Sequence, residues 1–311
     1  MKVLITGASG FVGSNLVPYL QDRQVAVQRV CREPGEEDAV SWKAIENKTV
    51  LPGIAAYIHL AGKAHDTKNT SDAAAYFDIN TGLTQKLFDH FLESEARDFI
   101  YFSSVKAAAD TVEGILTETP DSLPQTPYGQ SKRAAELYIQ AAKLPPGKRV
   151  IILRPSMIHG PGNKGNLNLL YSVVKSGIPY PLAAYQNQRS FLSVENLNYV
   201  VYQVLRHPDI PSGVYNLADD EVLSTNELVK LIAETLECKV RLIKVPKRCL
   251  TFLARTGDRL RLPLNSERLQ KLTESYVVSN TKIKHALHVD RLPVTAKEGL
   301  SATIQSFFRD N

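Results

Sequence analysis

The sequence predicts an α/β protein built on a doubly wound parallel sheet, with a smaller α/β lobe interleaved towards its C-terminal end. Three observations lead there. Short, almost wholly apolar runs alternate with helical stretches through the first half, as strands buried on both faces do. The earliest of these runs passes directly into three spaced glycines that open a helix. Beyond about Gly162 the alternation loosens, as it does where segments leave a sheet to build another layer.

Lys2-Val3-Leu4-Ile5-Thr6 is the first expected strand, followed by Gly7-Ala8-Ser9-Gly10-Phe11-Val12-Gly13 and a helix over 14–21. Each glycine has its own task. Gly7 allows a tight turn, Gly10 lets the backbone approach a pyrophosphate, and Gly13 lets helix pack closely on strand. The free N–H groups of the new helix then face the phosphates, with Phe11 and Val12 of the glycine motif also at the cofactor. Strand, glycine spacing and helix together specify a Rossmann-type dinucleotide site. The next strand, 25–30, ends at Cys31-Arg32. An acidic residue here would hold a ribose 2′-hydroxyl, whereas an arginine suits a 2′-phosphate. Arg32, with Glu33 beside it, favours NADP(H) and leaves NAD(H) open; without a ligand, Arg32 simply begins a polar loop, 32–38.

The run 55–62 is a buried strand ending in Leu60, Ala61 and Gly62, whose small residues let a flat cofactor lie against the backbone. His59 within it is expected to be a packed, hydrogen-bonded core residue. A helix over 73–95 contains Asn80. The strand 97–102 delivers Ser103-Ser104-Val105-Lys106 to the carboxyl ends of the strands, where open parallel sheets bind their ligands. A loop with Gly114, Pro120, Pro124 and Pro127 leads to Tyr128-Gly129-Gln130-Ser131-Lys132 and a helix, Pro127 suiting its first position. Tyr128 and Lys132 stand four apart and share a face. A phenol is a poor base at neutral pH. An ammonium one turn away is expected to lower its pKa, so that the pair exchanges a proton with a substrate hydroxyl or carbonyl. The same spacing without a ligand is an ordinary solvated helix face.

The strand 150–153 ends in Arg154-Pro155-Ser156-Met157. Further on, 166–176 is helical from Asn166, 189–194 extended, 195–206 helical and 212–217 a strand. Ser224-Thr225-Asn226-Glu227 is a capping box before a helix to 236. Then 240–245 is a strand, 250–272 mixes helix and loop, and the last helix starts near Thr295. The expected domains are 1–165 for the dinucleotide, with segments at about 190–218 returning to it, and 166–311 mainly for the substrate.

A hydrophobic content of 43% with 22% charged residues is ordinary for a globular chain. The +5 charge reads as scattered, which favours an anionic small molecule over nucleic acid as partner. Three cysteines without metal-ligand spacing read as free thiols in a reducing, cytoplasmic setting, and no metal is expected. No apolar run approaches the ~20 residues of a membrane span, so no membrane partner is expected.

Taken in order and spacing, these motifs resemble, nearly end to end, the extended short-chain dehydrogenases/reductases that act on nucleotide-diphosphate sugars. The resemblance rests on Thr6 to Gly13, His59-Leu60-Ala61-Gly62, Asn80, Ser103-Ser104, Tyr128 to Lys132 and Arg154-Pro155. It implies Tyr128 as acid/base, Lys132 as holder of the nicotinamide ribose and tuner of Tyr128, and Ser104 as hydrogen-bond partner of the reacting oxygen. It implies that Asn80 steadies the active-site end of its helix, and that Pro155, Ser156 and Met157 border the nicotinamide. Arg189 to Leu197 resembles the segment whose arginine meets the nucleotide diphosphate, and 280–287 the family's C-terminal segment. Arg268 would be a second diphosphate contact, with Lys106 and Asn166 also on the substrate side.

Relatives that dehydrate sugars carry Asp after the catalytic Ser or Thr, then Glu or Lys. Val105-Lys106 stands here, and valine delivers no proton, so 4,6-dehydration loses its acid. Hydride chemistry at one carbon remains. The chain resembles enzymes that reduce UDP-4-keto-6-deoxy-N-acetylhexosamines to sugars such as UDP-N-acetylquinovosamine for surface polysaccharides. A UDP-N-acetylhexosamine or UDP-hexose 4-epimerase with resident NAD is the alternative, and a non-catalytic NADP-binding regulator a second. The resemblance also implies a homodimer in which the helices bearing Leu83, Leu87 and Phe91, and Leu137 and 139–142, pair across a two-fold axis; core packing is the other explanation of those residues.

Overall fold

The computed structural model describes residues 1–33, 39–63, 73–119, 123–163, 165–260 and 265–309. Pro120, residues 34–38 of the expected polar loop, residues 261–264 and the Asn166 side chain lie outside the described residues. The first half of the chain runs β1 (Lys2–Thr6), α1 (Phe11–Gln21), β2 (Ala26–Cys31), β3 (Ala39–Ser41), α2 (Trp42–Glu46), β4 (Ile54–His59) and α3 (Ala73–Tyr76). A π-turn (Phe77–Gly82) joins α3 to α4 (Leu83–Glu93), followed by β5 (Asp98–Phe102), a 3₁₀ turn (Val105–Ala107), β6 (Ile115–Leu116), α5 (Pro127–Ala141), β7 (Arg149–Pro155) and β8 (Met157–His159). Then come α6 (Asn166–Lys175), β9 (Arg189–Ser193), α7 (Val194–Arg206), β10 (Gly213–Leu217), β11 (Val222–Leu223) and α8 (Thr225–Thr235). The chain ends with α9 (Lys247–Leu260), α10 (Ser266–Thr273), β12 (Val277–Val278), α11 (Thr281–Leu287) and α12 (Ala296–Arg309).

The main sheet has the order β3-β2-β1-β4-β5-β7-β10, and every neighbouring pair is parallel. The chain therefore grows outward from β1 in one direction and from β4 in the other. Between those two strands, beyond their carboxyl ends, lies the crevice in which such sheets bind ligands. Register makes its floor level: Thr6 pairs with both Val30 and His59, so Gly7, Cys31 and Leu60 emerge side by side.

Alternate strand residues supply two cores. Val3, Ile5, Ile58, Ile100 and Ile151 pack under α1, α7 and α11 through residues such as Leu16, Leu197 and Ile283. Leu4, Tyr57, Phe99, Tyr101 and Ile152 pack under α4 and α5. A third core, with Tyr171, Phe191, Ile232, Leu250, Ala254 and Ile304, unites α6, α8, α9 and α12 into the smaller lobe. The expected capping box is formed: Ser224 accepts from Glu227 N, and Glu227 accepts from Ser224 N at 2.7 Å.

Two expectations are revised. The single helix over 73–95 is interrupted by the π-turn around Asn80. The strand over 240–245 is reduced to two bridges, Tyr180 with Leu242 and Leu182 with Lys244. Pro179 and Pro181 flank Tyr180, and a proline has no N–H to extend the ladder. Of the residues expected at a two-fold axis, Leu87, Phe91 and Ile139 are buried within the chain's own core, while Leu137 is 51% exposed.

Candidate functional site

A cleft of about 1040 Å³ opens beyond the ends of β1, β2 and β4, lined among others by Gly7 to Gly10, Arg32, Glu33 and Leu60 to Gly62. Its shape depends on missing side chains. Gly7 has φ +70°, and a Cβ there would stand 2.7 Å from the Ala61 nitrogen. A Cβ on Gly13 would come within 2.4 Å of the Gly7 oxygen, so α1 could not lie against the turn. Gly10 is the N-cap of α1 and offers no capping side chain, which leaves the first-turn N–H groups, around Phe11 and Val12, for an anion. These residues fit a dinucleotide diphosphate. Arg32 is exposed on the lip of the cleft, directly after β2.

Gly62 joins the cleft to Asn80 and Lys132. A Cβ on it would lie 2.9 Å from Asn80 Oδ1 and 3.1 Å from Lys132 Nζ. The helix bearing Lys132 starts with Thr126 as N-cap, accepting from Gly129 N at 3.3 Å, and with Pro127 in its first turn. Gly129 sits directly on the 3₁₀ turn: a Cβ would meet the Lys106 oxygen at 2.4 Å. That close approach brings half-buried Tyr128 to Ser104, and the two side chains hydrogen-bond. Ser104 Oγ also caps the turn by accepting from Lys106 N at 3.2 Å.

The electrostatics differ from the expected pairing. Burial pushes the Tyr128 phenol up; the Ser104 hydrogen bond offsets part of this and neighbouring Tyr76 adds to it. The Lys132 side chain is engaged elsewhere. Its ammonium donates to the Phe102 carbonyl at 2.8 Å and lies 5.0 Å from the Tyr101 ring centre. Burial pulls Lys132 down to about 8, with Glu136 acting in the opposite direction. Sequence spacing gave the shared helix face, but the direction of the shift is set by desolvation.

Asn80 links three parts of the site. Its Oδ1 accepts from Lys63 N at 2.7 Å, while Nδ2 donates to Lys63 O at 3.1 Å and to Ser131 Oγ at 3.0 Å. The π-turn thus locks α5 to the edge of the cleft, a use typical of such turns. His59 is a core residue, held by Thr6 Oγ1 at 2.6 Å and Thr84 Oγ1 at 2.9 Å. Burial, then Lys132, pushes its pKa down to about 3.

A buried ion pair anchors the helix that carries Tyr128 and Lys132. Arg154 Nε and Nη2 donate to the two Glu136 carboxylate oxygens at 2.8 and 2.6 Å, and Ser103 Oγ donates at 2.6 Å. Sequence reading quoted Arg154 in a motif without a role and passed over Glu136. The available signal was that Glu136 follows Lys132 by four and so shares its inward face.

On the substrate side, Lys106 Nζ donates to the Asp110 carbonyl at 2.7 Å and lies 4.2 Å from the Tyr276 ring centre. Tyr276 was not anticipated; its hydroxyl donates to Ala109 O at 2.7 Å and Val105 O at 3.2 Å, joining the C-terminal region to the 3₁₀ turn. Arg189 opens β9 and is bridged to Tyr276. Burial lowers its pKa and Glu274 opposes that shift. Arg268 is exposed in the first turn of α10, where Asn265 Oδ1 accepts from its backbone N–H. Pro155 ends β7 buried, and Met157 begins β8 half-buried against the smaller lobe's core. Among the described residues, no group of three or more His, Cys, Asp and Glu could hold a metal, and no helix is long and apolar enough to cross a membrane.

A glycine cradle that runs up to a phenol, a hydroxyl and a buried ammonium is the arrangement of a dinucleotide-dependent oxidoreductase that moves a proton alongside a hydride. Residues 3–218 match the model of the NAD dependent epimerase/dehydratase family, and the chain belongs to that family. It is 29% identical to a UDP-glucose 4-epimerase of Vibrio cholerae, over 100% of this chain and 96% of the relative. It is 26% identical to the N-acetyl-alpha-D-glucosaminyl-diphospho-ditrans,octacis-undecaprenol 4-epimerase of Escherichia coli O157:H7, over 99% of this chain and 95% of that one. A GDP-6-deoxy-D-mannose reductase of Pseudomonas aeruginosa is 26% identical over 79% of this chain and 84% of its own. The fold matches a UDP-N-acetylglucosamine 4-epimerase from Bacillus cereus with a TM-score of 0.76 at 20% identity, covering 99% of each chain.

Proposed function

We propose that the protein is an NADP(H)-dependent 4-keto reductase of a UDP-4-keto-6-deoxy-N-acetylhexosamine, forming a 6-deoxy sugar nucleotide such as UDP-N-acetylquinovosamine for surface polysaccharide. The observation that carries this reading is Tyr128 held at Ser104 on a turn whose next residue is Val105. The turn offers a proton donor for a carbonyl oxygen and no carboxyl to expel a 6-hydroxyl. Bound nicotinamide would supply the hydride. Tyr128 donates its phenolic proton to the C4 oxygen, and its raised pKa keeps that proton on the phenol at neutral pH. Ser104 hydrogen-bonds the same oxygen. The Lys132 ammonium, hydrogen-bonded to the Phe102 carbonyl, lies beside Gly62 and would hold the nicotinamide ribose. Gly7, Gly10, Gly13 and Asn80 shape the dinucleotide site, with Leu60 to Gly62, Pro155 and Met157 along it. Arg189 and Arg268 would take the nucleotide diphosphate, each offering a planar fork of donors.

Arg32 supports NADP(H): a guanidinium directly after β2 gives a 2′-phosphate a charge-assisted contact that NAD(H) cannot use. NADPH should bind more tightly than NADH, and Arg32→Ala should narrow that gap. The second reading, a 4-epimerase with resident NAD, is favoured by the full-length similarity to the Vibrio cholerae enzyme. One comparison separates them. Given the 4-keto sugar nucleotide, a reductase oxidises NADPH stoichiometrically. Given UDP-N-acetylglucosamine without reductant, an epimerase makes the 4-epimer and purifies with NAD bound; that result replaces the first reading by the second.

A further inference from the structure

The positive charge of the chain is not scattered as expected. The twenty-two residues 239–260 carry seven lysines and arginines against one acid, Asp258, so this stretch holds +6 of a chain whose total is +5. The structure gathers much of this charge on α9. Leu250, Ala254 and Gly257 face the smaller lobe's interior. Arg248, Phe252, Arg255 and Arg259, at steps of four, three and four, share the outward face, and all four are exposed. Phe252 is 71% exposed, and Leu253 and Leu260, seven residues apart on one flank, are 52% and 62% exposed. Asp258 is engaged with Ser266, accepting from its backbone N–H at 3.0 Å and from its hydroxyl at 2.6 Å.

We propose that α9 is a membrane-surface helix by which the smaller lobe docks on an anionic bilayer. Large apolar side chains beside a row of arginines, on a helix of low overall hydrophobicity, are the composition of helices that lie in the headgroup plane. The arginines meet the negative surface potential of acidic phospholipids while Phe252, Leu253 and Leu260 enter the acyl boundary. A second copy of the chain is a poorer occupant, because a two-fold contact through this face would set arginines against arginines. A nucleic acid would leave the two leucines without a use. The absence of an apolar run long enough to span a bilayer concerns spanning and leaves this surface mode open. Docking would act at the lobe expected to hold the sugar substrate and leaves the chemistry at Tyr128 unaltered, so it stands apart from the choice of reductase or epimerase.

The full-length protein should cosediment with vesicles of phosphatidylglycerol and phosphatidylcholine in equal parts at about 0.1 M salt, and release as salt screens the attraction. Vesicles of phosphatidylcholine alone should retain little. Arg248→Glu with Arg255→Glu, and separately Phe252→Ser with Leu253→Ser, should each lower the partition coefficient by about tenfold or more. All four positions are exposed, so unchanged melting temperatures show that the variants remain folded. Failure of the wild type to bind anionic vesicles overturns the proposal, as does unaltered binding by both folded variants. A dimer that Phe252→Ser with Leu253→Ser splits, without vesicle binding by the wild type, would make α9 a subunit contact instead.

Discussion

At Tyr128 the proton proposed to reach the substrate sits on a phenol whose pKa is raised by burial, with Ser104 its hydrogen-bond partner. Tyr128→Phe keeps the ring and removes the proton, so turnover should fall by roughly 10²–10⁴ with dinucleotide affinity nearly unchanged. Stopped-flow turnover and a binding titration check the two halves separately; activity within a few-fold of wild type removes Tyr128 from the mechanism. His59 gives a prediction of the opposite kind, about stability. Its pKa falls from 6.5 to about 3 on folding. Between those values the unfolded chain binds a proton that the folded chain refuses, so stability drops as pH falls through that window, by up to ~1.4 kcal/mol per pH unit from this group. Imidazole ¹⁵N shifts followed from pH 8 to 5 should show His59 neutral throughout; an inflection near 6.5 contradicts the burial argument.

The element whose placement decides the site is α5, fixed at both ends of its inward face. Gly129 seats its first turn on the 3₁₀ turn, and Glu136 joins it to Arg154 at the end of β7. Glu136 and Arg154 are 0% and 1% exposed, so removing one charge strands the other where water cannot reach it. Glu136→Gln should lower the unfolding free energy by roughly 3–5 kcal/mol in a urea titration. Replacing both partners, Glu136→Leu with Arg154→Met, should recover much of that loss, because two apolar side chains need no counter-charge. A single variant as stable as wild type would show that the pair carries no such role. The π-turn does for the other side what Gly129 does for this one, since Asn80 within it fastens Ser131 of α5 and the Lys63 backbone.

For the molecule as a whole, α4 and α5 form the surface expected to pair across a two-fold axis. Their apolar residues mostly face inward, yet Leu137 is exposed and Tyr138 is tied to Asp89 of α4 by a 2.7 Å hydrogen bond. A homodimer pairing these helices is the expected solution state. Light scattering at micromolar concentration should give twice the chain mass of 34.5 kDa, and Leu137→Glu should halve it without loss of fold. A wild-type mass of one chain rules this association out. Such an interface would use different helices from the basic face of α9.

The elements legible from sequence are those whose cause is local. Gly13 is forced by contact with its own turn and Gly7 by that turn's positive φ, β1 and β4 by largely apolar runs, and the shared face of Tyr128 and Lys132 by helical period alone. What only the tertiary structure decided depends on residues distant in the chain. The direction of the Tyr128 shift comes from burial beneath other elements. Glu136 finds Arg154 eighteen residues on, across a strand and a loop. The stretch 240–245 reads as a strand, but its partner segment carries Pro179 and Pro181 and bridges it at two points, Leu242 and Lys244. Charge shows the same divide. A count along the chain gives +5, and only the orientation of α9 turns part of that sum into one exposed basic face. Periodicity and glycine spacing are short-range properties of a chain, whereas desolvation and charge pairing belong to whatever folding brings together.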